Sequence, residues 1–143
     1  MAAVLGLHET VWAIGAMNGA SAFLLGHQGS YVVAGQPRAL RGIDRISLRE
    51  GARRTNTPLP IFALIWVYHW FGLAPWAFAI WFGFKVGWVQ AGAVCVIGVA
   101  SRLLLTALTQ WSGLLRNAWV IAWVGLPLIP ILQVAMVWLA RYA

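Results

Sequence analysis

Apolar and polar positions divide the chain into long apolar runs separated by one extended polar stretch and two short breaks. From Leu59 to Gln110 the sequence is almost unbroken apolar, and its only charges are Lys85 and Arg102. A helix crossing a hydrocarbon layer about 30 Å thick needs roughly 20 apolar residues. The run is long enough for two crossings and too long for one. It reads as a transmembrane hairpin with arms over 59–82 and 88–109. Pro75 predicts a kink in the first arm, because proline removes a ladder hydrogen bond and crowds the preceding turn. Gly83, Lys85 and Gly87 are the best turn formers between the arms. A turn at Gly72–Pro75 is the alternative. It would leave a helix from Pro75 to Thr109, about 50 Å long, which overruns a bilayer.

A polar link at 110–117, with Trp111, Ser112, Gly113 and Arg116, leads to another apolar run over 118–139. Pro127 and Pro130 lie inside that run, and spanning helices tolerate proline where neighbours re-satisfy the freed carbonyls. The first run, 4–26, is less apolar, with His8, Glu9, Asn18 and Ser21 inside it. Gly15 and Gly19 are four apart, as are Ala16 and Ala20. Small residues at that spacing share a helix face and admit another backbone closely. Such a helix suits a bundle interior or a contact with another chain. The pattern as a whole predicts an all-α fold: an integral membrane four-helix transmembrane bundle forming one polytopic domain over 1–143.

The stretch 27–58 is the polar one. Arg38, Arg41, Arg45, Arg49 and Arg53 recur every three or four positions, followed by Arg54, against Asp44 and Glu50 alone. On a helix these arginines form one stripe, with Leu40, Ile43 and Ile46 largely on another side. Pro37 suits a first helical turn, and Glu50 has helical spacing to Arg53 and Arg54. The expectation is a basic amphipathic segment in the headgroup layer, with its arginines toward anionic lipid phosphate. A helical extension of the next crossing would look much the same. Thr55, Asn56, Thr57 and Pro58 then mark the start of the second crossing.

Composition narrows the class. Of 143 residues, 62% are hydrophobic and only 9% charged, far below the roughly 25% charged residues of soluble domains. The net charge of +7 would suggest nucleic acid in a soluble protein, but here it marks loops beside anionic lipid, and no nucleic-acid partner is expected. Arg116 joins the six arginines of 27–58 on one side of a four-crossing topology, with Arg102 reaching toward them; Lys85 and Arg141 fall on the other. The positive-inside rule then places 27–58 in the cytoplasm and both termini on the opposite side. Of ten tryptophans, Trp12, Trp76, Trp81, Trp88, Trp111 and Trp138 fit an interfacial belt, while Trp66, Trp70, Trp119 and Trp123 lie deeper. Cys95 is the only cysteine, so no internal disulfide forms. The first run lacks a basic leader and carries His8 and Glu9, so it is expected to be retained rather than cleaved.

Candidate chemistry is sparse. The intramembrane polar candidates are Glu9, Asn18, His69, Lys85 and Arg102, because ionisable groups in spanning segments usually face a protein interior or cavity. Glu9 lies near the chain start, where headgroups solvate it. His8, His27 and His69 sit at different depths, so a bis-histidine haem within one chain is disfavoured. No cofactor or metal is expected, with a haem or pigment on His69 as the open alternative. Phosphate-loop, dinucleotide and zinc-protease spacings are absent, and the lone Asp44 offers no triad, so no catalytic residues are assigned.

Ala52-Arg53-Arg54-Thr55-Asn56, with Pro60 and Tyr68 beyond, resembles the start of the second helix in membrane-associated eicosanoid and glutathione metabolism proteins. The Asn-x-x-Glu of that family would need a glutamate near Leu59, and Arg102 lies too far downstream to match its third-helix arginine without an insertion. The resemblance implies a glutathione-like anion near Arg53, Arg54 and Arg102, in a lipid- or glutathione-dependent enzyme. The residues themselves favour a non-catalytic accessory, stabilising or assembly subunit, with other membrane subunits or further copies as partners. A small ion- or proton-coupled transporter using Glu9, Lys85 or Asn18 is the competing reading.

Overall fold

The computed structural model describes residues 9–34, 48–113 and 118–143, and all its regular elements there are helical. Helix α1 spans Glu9–Ala34, α2 Leu48–Arg54, α3 Leu59–Trp70, α4 Ala74–Lys85, α5 Trp88–Trp111 and α6 Ala118–Leu139. Three stretches are long and apolar enough to cross a membrane: Leu59–Lys85, Trp88–Trp111 and Val120–Leu139. Helix α1, at 26 residues, has the length but not the apolarity. The first of the four expected crossings is thus not among those that qualify.

Two features of the hairpin have local causes. Helix α4 ends at Lys85, and Gly87 adopts φ 143°, a value side-chain-bearing residues rarely take. The reversal therefore sits at Val86–Gly87 rather than at Gly72–Pro75. Within the first arm, a 3-10 turn at Phe71–Leu73 separates α3 from α4. Pro75 has no N–H for the Phe71 carbonyl, and its ring would crowd that carbonyl in a continuous α-helix. The Ala74 N–H bonds Phe71 O instead, which tightens the turn.

Helix α1 continues to Ala34, eight residues beyond the expected end at Gly26. Burial explains the extension. Tyr31 and Val32 are 8% and 1% exposed and pack with Ala52, Phe62, Ile65 and Ala122. The polar Gly-His-Gln-Gly run before them looks like a loop only when those contacts are unknown. At the far side of the connection, Asn56 turns the chain at φ 49°. The Tyr31 hydroxyl hydrogen-bonds Thr57 Oγ1 and ties that turn to α1.

Helix α1 is the hub, with its contacts spread over α3, α4, α5 and α6. Three apolar layers line it. At its start, Val11 and Ile14 meet Phe78, Phe82, Val94 and Met136. In the middle, Phe23, Leu24 and Leu25 meet Ile121 and Ile129. At its end comes the Tyr31–Phe62 layer. The order of these contacts makes α1 parallel to α5 and antiparallel to α6 and to the α3–α4 arm. Ala34, Leu48 and Ser112 lie at one end of the molecule; Glu9, the Val86–Gly87 turn and Ala143 lie at the other.

Large apolar side chains cover the outside as well as the inside. Asn18, Ser21 and Gln28 are buried, while Leu73, Phe84, Val89, Leu103, Trp111 and Val134 are each more than half exposed. Interior polar groups bond across helices. Gln28 Nε2 donates to the Ala122 carbonyl at 3.1 Å, and Gln133 Nε2 donates to Ser21 Oγ at 2.8 Å.

Candidate functional site

The break between α3 and α4 opens a groove. Its floor is one face of α1, with Ala22, Gly26, Gly29 and Val33 at helical spacing. The broken arm supplies His69, Gly72 and Trp76, and α5 supplies Arg102. The cavity is about 640 Å³. A second notch of about 50 Å³ shares Ala22, Trp76 and Arg102 with it and adds Asn18, Cys95 and Gly98.

Glycines shape the floor. A Cβ at Gly29 would lie 2.7 Å from His69 Nδ1, and one at Gly26 would lie 3.4 Å from Arg102 Nη2. The His69 ring edge and the tip of Arg102 therefore each approach α1 at a position without a side chain. The Ser30 hydroxyl donates to the Gly26 carbonyl at 3.0 Å, so its lone pairs are left as acceptors toward the groove. Asn18 is 7% exposed, and its Oδ1 has no hydrogen-bond partner among the described residues.

The other sequence candidates are dispersed. Glu9 is exposed in the first turn of α1. Lys85 stands 5.1 Å over the Trp81 ring, a cation–π contact. Gly15 and Gly19 face α5 of the same chain. A Cβ at Gly15 would lie 2.7 Å from Ile97 Cβ, and one at Gly19 would run into the Gly98 carbonyl. Arg49, Arg53 and Arg54 are exposed on α2, whose covered face, Gly51 and Ala52, packs on the chain itself around Phe62. Arg38, Arg41 and Arg45 lie outside the described residues, as do Asp44 and His8. Glu50 receives a bond from Arg54 Nε at 2.8 Å. That bond first, and the Arg53 charge second, hold its carboxyl below the ordinary range. His27 Nδ1 bonds the Phe23 carbonyl at 2.9 Å. Among the described residues no three of His, Cys, Asp and Glu lie together as a metal-binding group.

The structure thus joins His69, Arg102 and Asn18, which the sequence places on three separate runs. Arg53 and Arg54 do not line the groove that holds Arg102, so the anion site implied by the family resemblance is not assembled there. Sequence reading missed Gly26, Gly29 and Ser30. The available signal was their helical spacing with Ala22 and Val33. Trp76, one of the expected belt tryptophans, stands exposed on the groove rim.

The chain matches no protein-family model, no curated protein and no solved structure.

Proposed function

We propose that this chain is an integral membrane protein whose α1 is a fourth crossing, its most polar face turned toward the other three. Its role is that of a non-catalytic accessory or assembly subunit within a larger membrane complex. One observation carries the reading: a helix with Asn18, Ser21 and Gln28 buried in it packs against apolar helices whose outer faces remain exposed. Lipid has no affinity for such polar groups, whereas neighbouring helices bond Ser21 Oγ and Gln28 Nε2. Helix α1 is about 39 Å long at the usual rise, enough to cross. The exposed arginines of α2 suit an anionic leaflet, on the cytoplasmic side by the positive-inside rule.

The subunit role draws on the seam between α1 and α5. There Ala16, Ala93, Ala100 and Ser101 form a shallow apolar trough between Trp12 and Leu104. Small residues in such a trough allow a neighbouring helix to approach closely. Extraction in a gentle detergent followed by native mass measurement tests the role. The expected species is larger than one chain and contains other membrane proteins; a lone monodisperse monomer overturns it. Glu9 is exposed at a helix end rather than inside, so Glu9→Gln is expected to leave the assembly intact.

A further inference from the structure

Arg102 lies in the second half of α5, as the one charge on that helix, with its guanidinium near Gly26. Among the described residues no carboxylate comes within ion-pair distance of it; the described pair, Glu50–Arg54, is on α2. A cation on a spanning helix is costly unless an anion or a polar cavity faces it. Here the cavity exists, and His69 and Ser30 line it beside the arginine.

We propose that this groove binds the phosphate head of an anionic, hydroxyl-bearing membrane lipid. The guanidinium offers a fork of N–H donors that matches phosphate oxygens. An imidazole N–H of His69 adds a second donor, on the opposite wall of the cavity. The remaining polar groups are acceptors. Ser30 has its proton engaged with Gly26, and Asn18 Oδ1, in the adjoining notch, lacks a donor. Acceptors beside a cation fit a phosphodiester with free hydroxyls. A bare carboxylate brings no donor for them, and a choline head would set its own cation against Arg102. The rim residues Gly72, Trp76 and Val33 are exposed on the sides of the helices, where acyl chains lie. That lateral opening favours a lipid over a soluble phosphate.

The inference rests on the membrane reading but not on the subunit role. The test uses the full chain in mild detergent, with native mass spectrometry counting bound phosphatidylglycerol and phosphatidylcholine from mixed micelles. Preference for phosphatidylglycerol by about tenfold or more is expected. Arg102→Gln should remove that preference. Ser30→Leu should also remove it, by filling the groove while leaving the charge in place. Arg141→Gln, at the other end of the molecule, should keep it. Inorganic phosphate or glycerol phosphate at the lipid concentration should not displace the lipid. Equal retention of the two lipids, or retention unchanged in both groove variants, overturns the site. Displacement by the soluble phosphates overturns the lipid assignment. A chain absent from the membrane fraction overturns the membrane reading as well, so the two failures are told apart.

Discussion

Gly19 has no room for a methyl group, because the Gly98 carbonyl and Ser101 Cβ of α5 occupy the space. Gly19→Ala must push α1 away from α5, and overpacking of that kind costs about 1–3 kcal/mol. Gly92, on the same α5, has nothing within 4 Å of its would-be Cβ. Gly92→Ala should be neutral, or stabilising by up to about 1 kcal/mol through helix propensity. Thermal unfolding in detergent reads both, and the reverse order would refute the packing. The Gly15–Gly19 spacing was visible in the sequence, but its partner was not, because a small-residue face accepts any close backbone. Gly26 and Gly29 were invisible for another reason: beside His27 and Gln28 they look like loop formers. Only the His69 ring against Gly29 and the Arg102 guanidinium near Gly26 show their purpose. Glu50 titrates in a legible way. Its folded carboxyl sits below the ordinary 4.5, held first by the Arg54 hydrogen bond and then by Arg53. A depressed carboxylate stabilises the fold fully above its unfolded value and loses that contribution as pH falls through the folded value. The pairing should therefore persist at neutral pH and fade in acid below 4.5. Carboxyl NMR should place the Glu50 midpoint below that value, and Arg54→Gln should raise it.

Among the elements, the broken arm governs the groove. Pro75 forces the 3-10 turn at Phe71–Leu73, and the turn separates His69 from Trp76. Pro75→Ala restores an N–H for the Phe71 carbonyl and removes the ring that crowds it. The arm should become one continuous helix, with slower amide exchange over 71–74 and a narrower cavity. Unchanged exchange there would mean that tertiary packing, not proline, sets the break. A second element-level contact holds the connection. Tyr31→Phe removes the hydroxyl that binds Thr57 Oγ1, and should cost about 1 kcal/mol and loosen α2. The hydrophobic pattern made α5 and α6 legible, because long uniform runs leave little choice of start and end. It made α1 legible only in part. The last turns of α1 are helical because Tyr31 and Val32 find a buried layer with Phe62 and Ala122. Those contacts join distant parts of the chain, so no window of local sequence contains them.

At the scale of the whole molecule, the question is whether α1 crosses the bilayer with its neighbours. The polar side chains of α1 are the reason it fails a test of apolarity, and they are also why it belongs inside. Asn18, Ser21 and Gln28 would be costly toward hydrocarbon and are buried instead. The directions of the helices decide what each topology must show. Residues 58 and 112 lie at one end, and the Val86–Gly87 turn and Tyr142 at the other. If α1 crosses, Glu9 shares the side of Tyr142; if it lies along the surface, Glu9 shares the side of Ser112. Cys95 is the one native thiol, so Cys95→Ser gives a clean background for single cysteines. Glu9→Cys, Ser112→Cys and Tyr142→Cys place thiols at exposed positions. Removing Glu9 barely alters insertion, because acids contribute little to the orientation rule. In intact cells an impermeant maleimide should label the thiols of Glu9→Cys and Tyr142→Cys and reach that of Ser112→Cys only after lysis. Labelling of Tyr142→Cys alone in intact cells, with Glu9→Cys reached, like Ser112→Cys, only after lysis, would instead leave three crossings and put α1 on the surface. The reverse pattern for all three positions would keep four crossings and turn the bundle over, with the arginines outside.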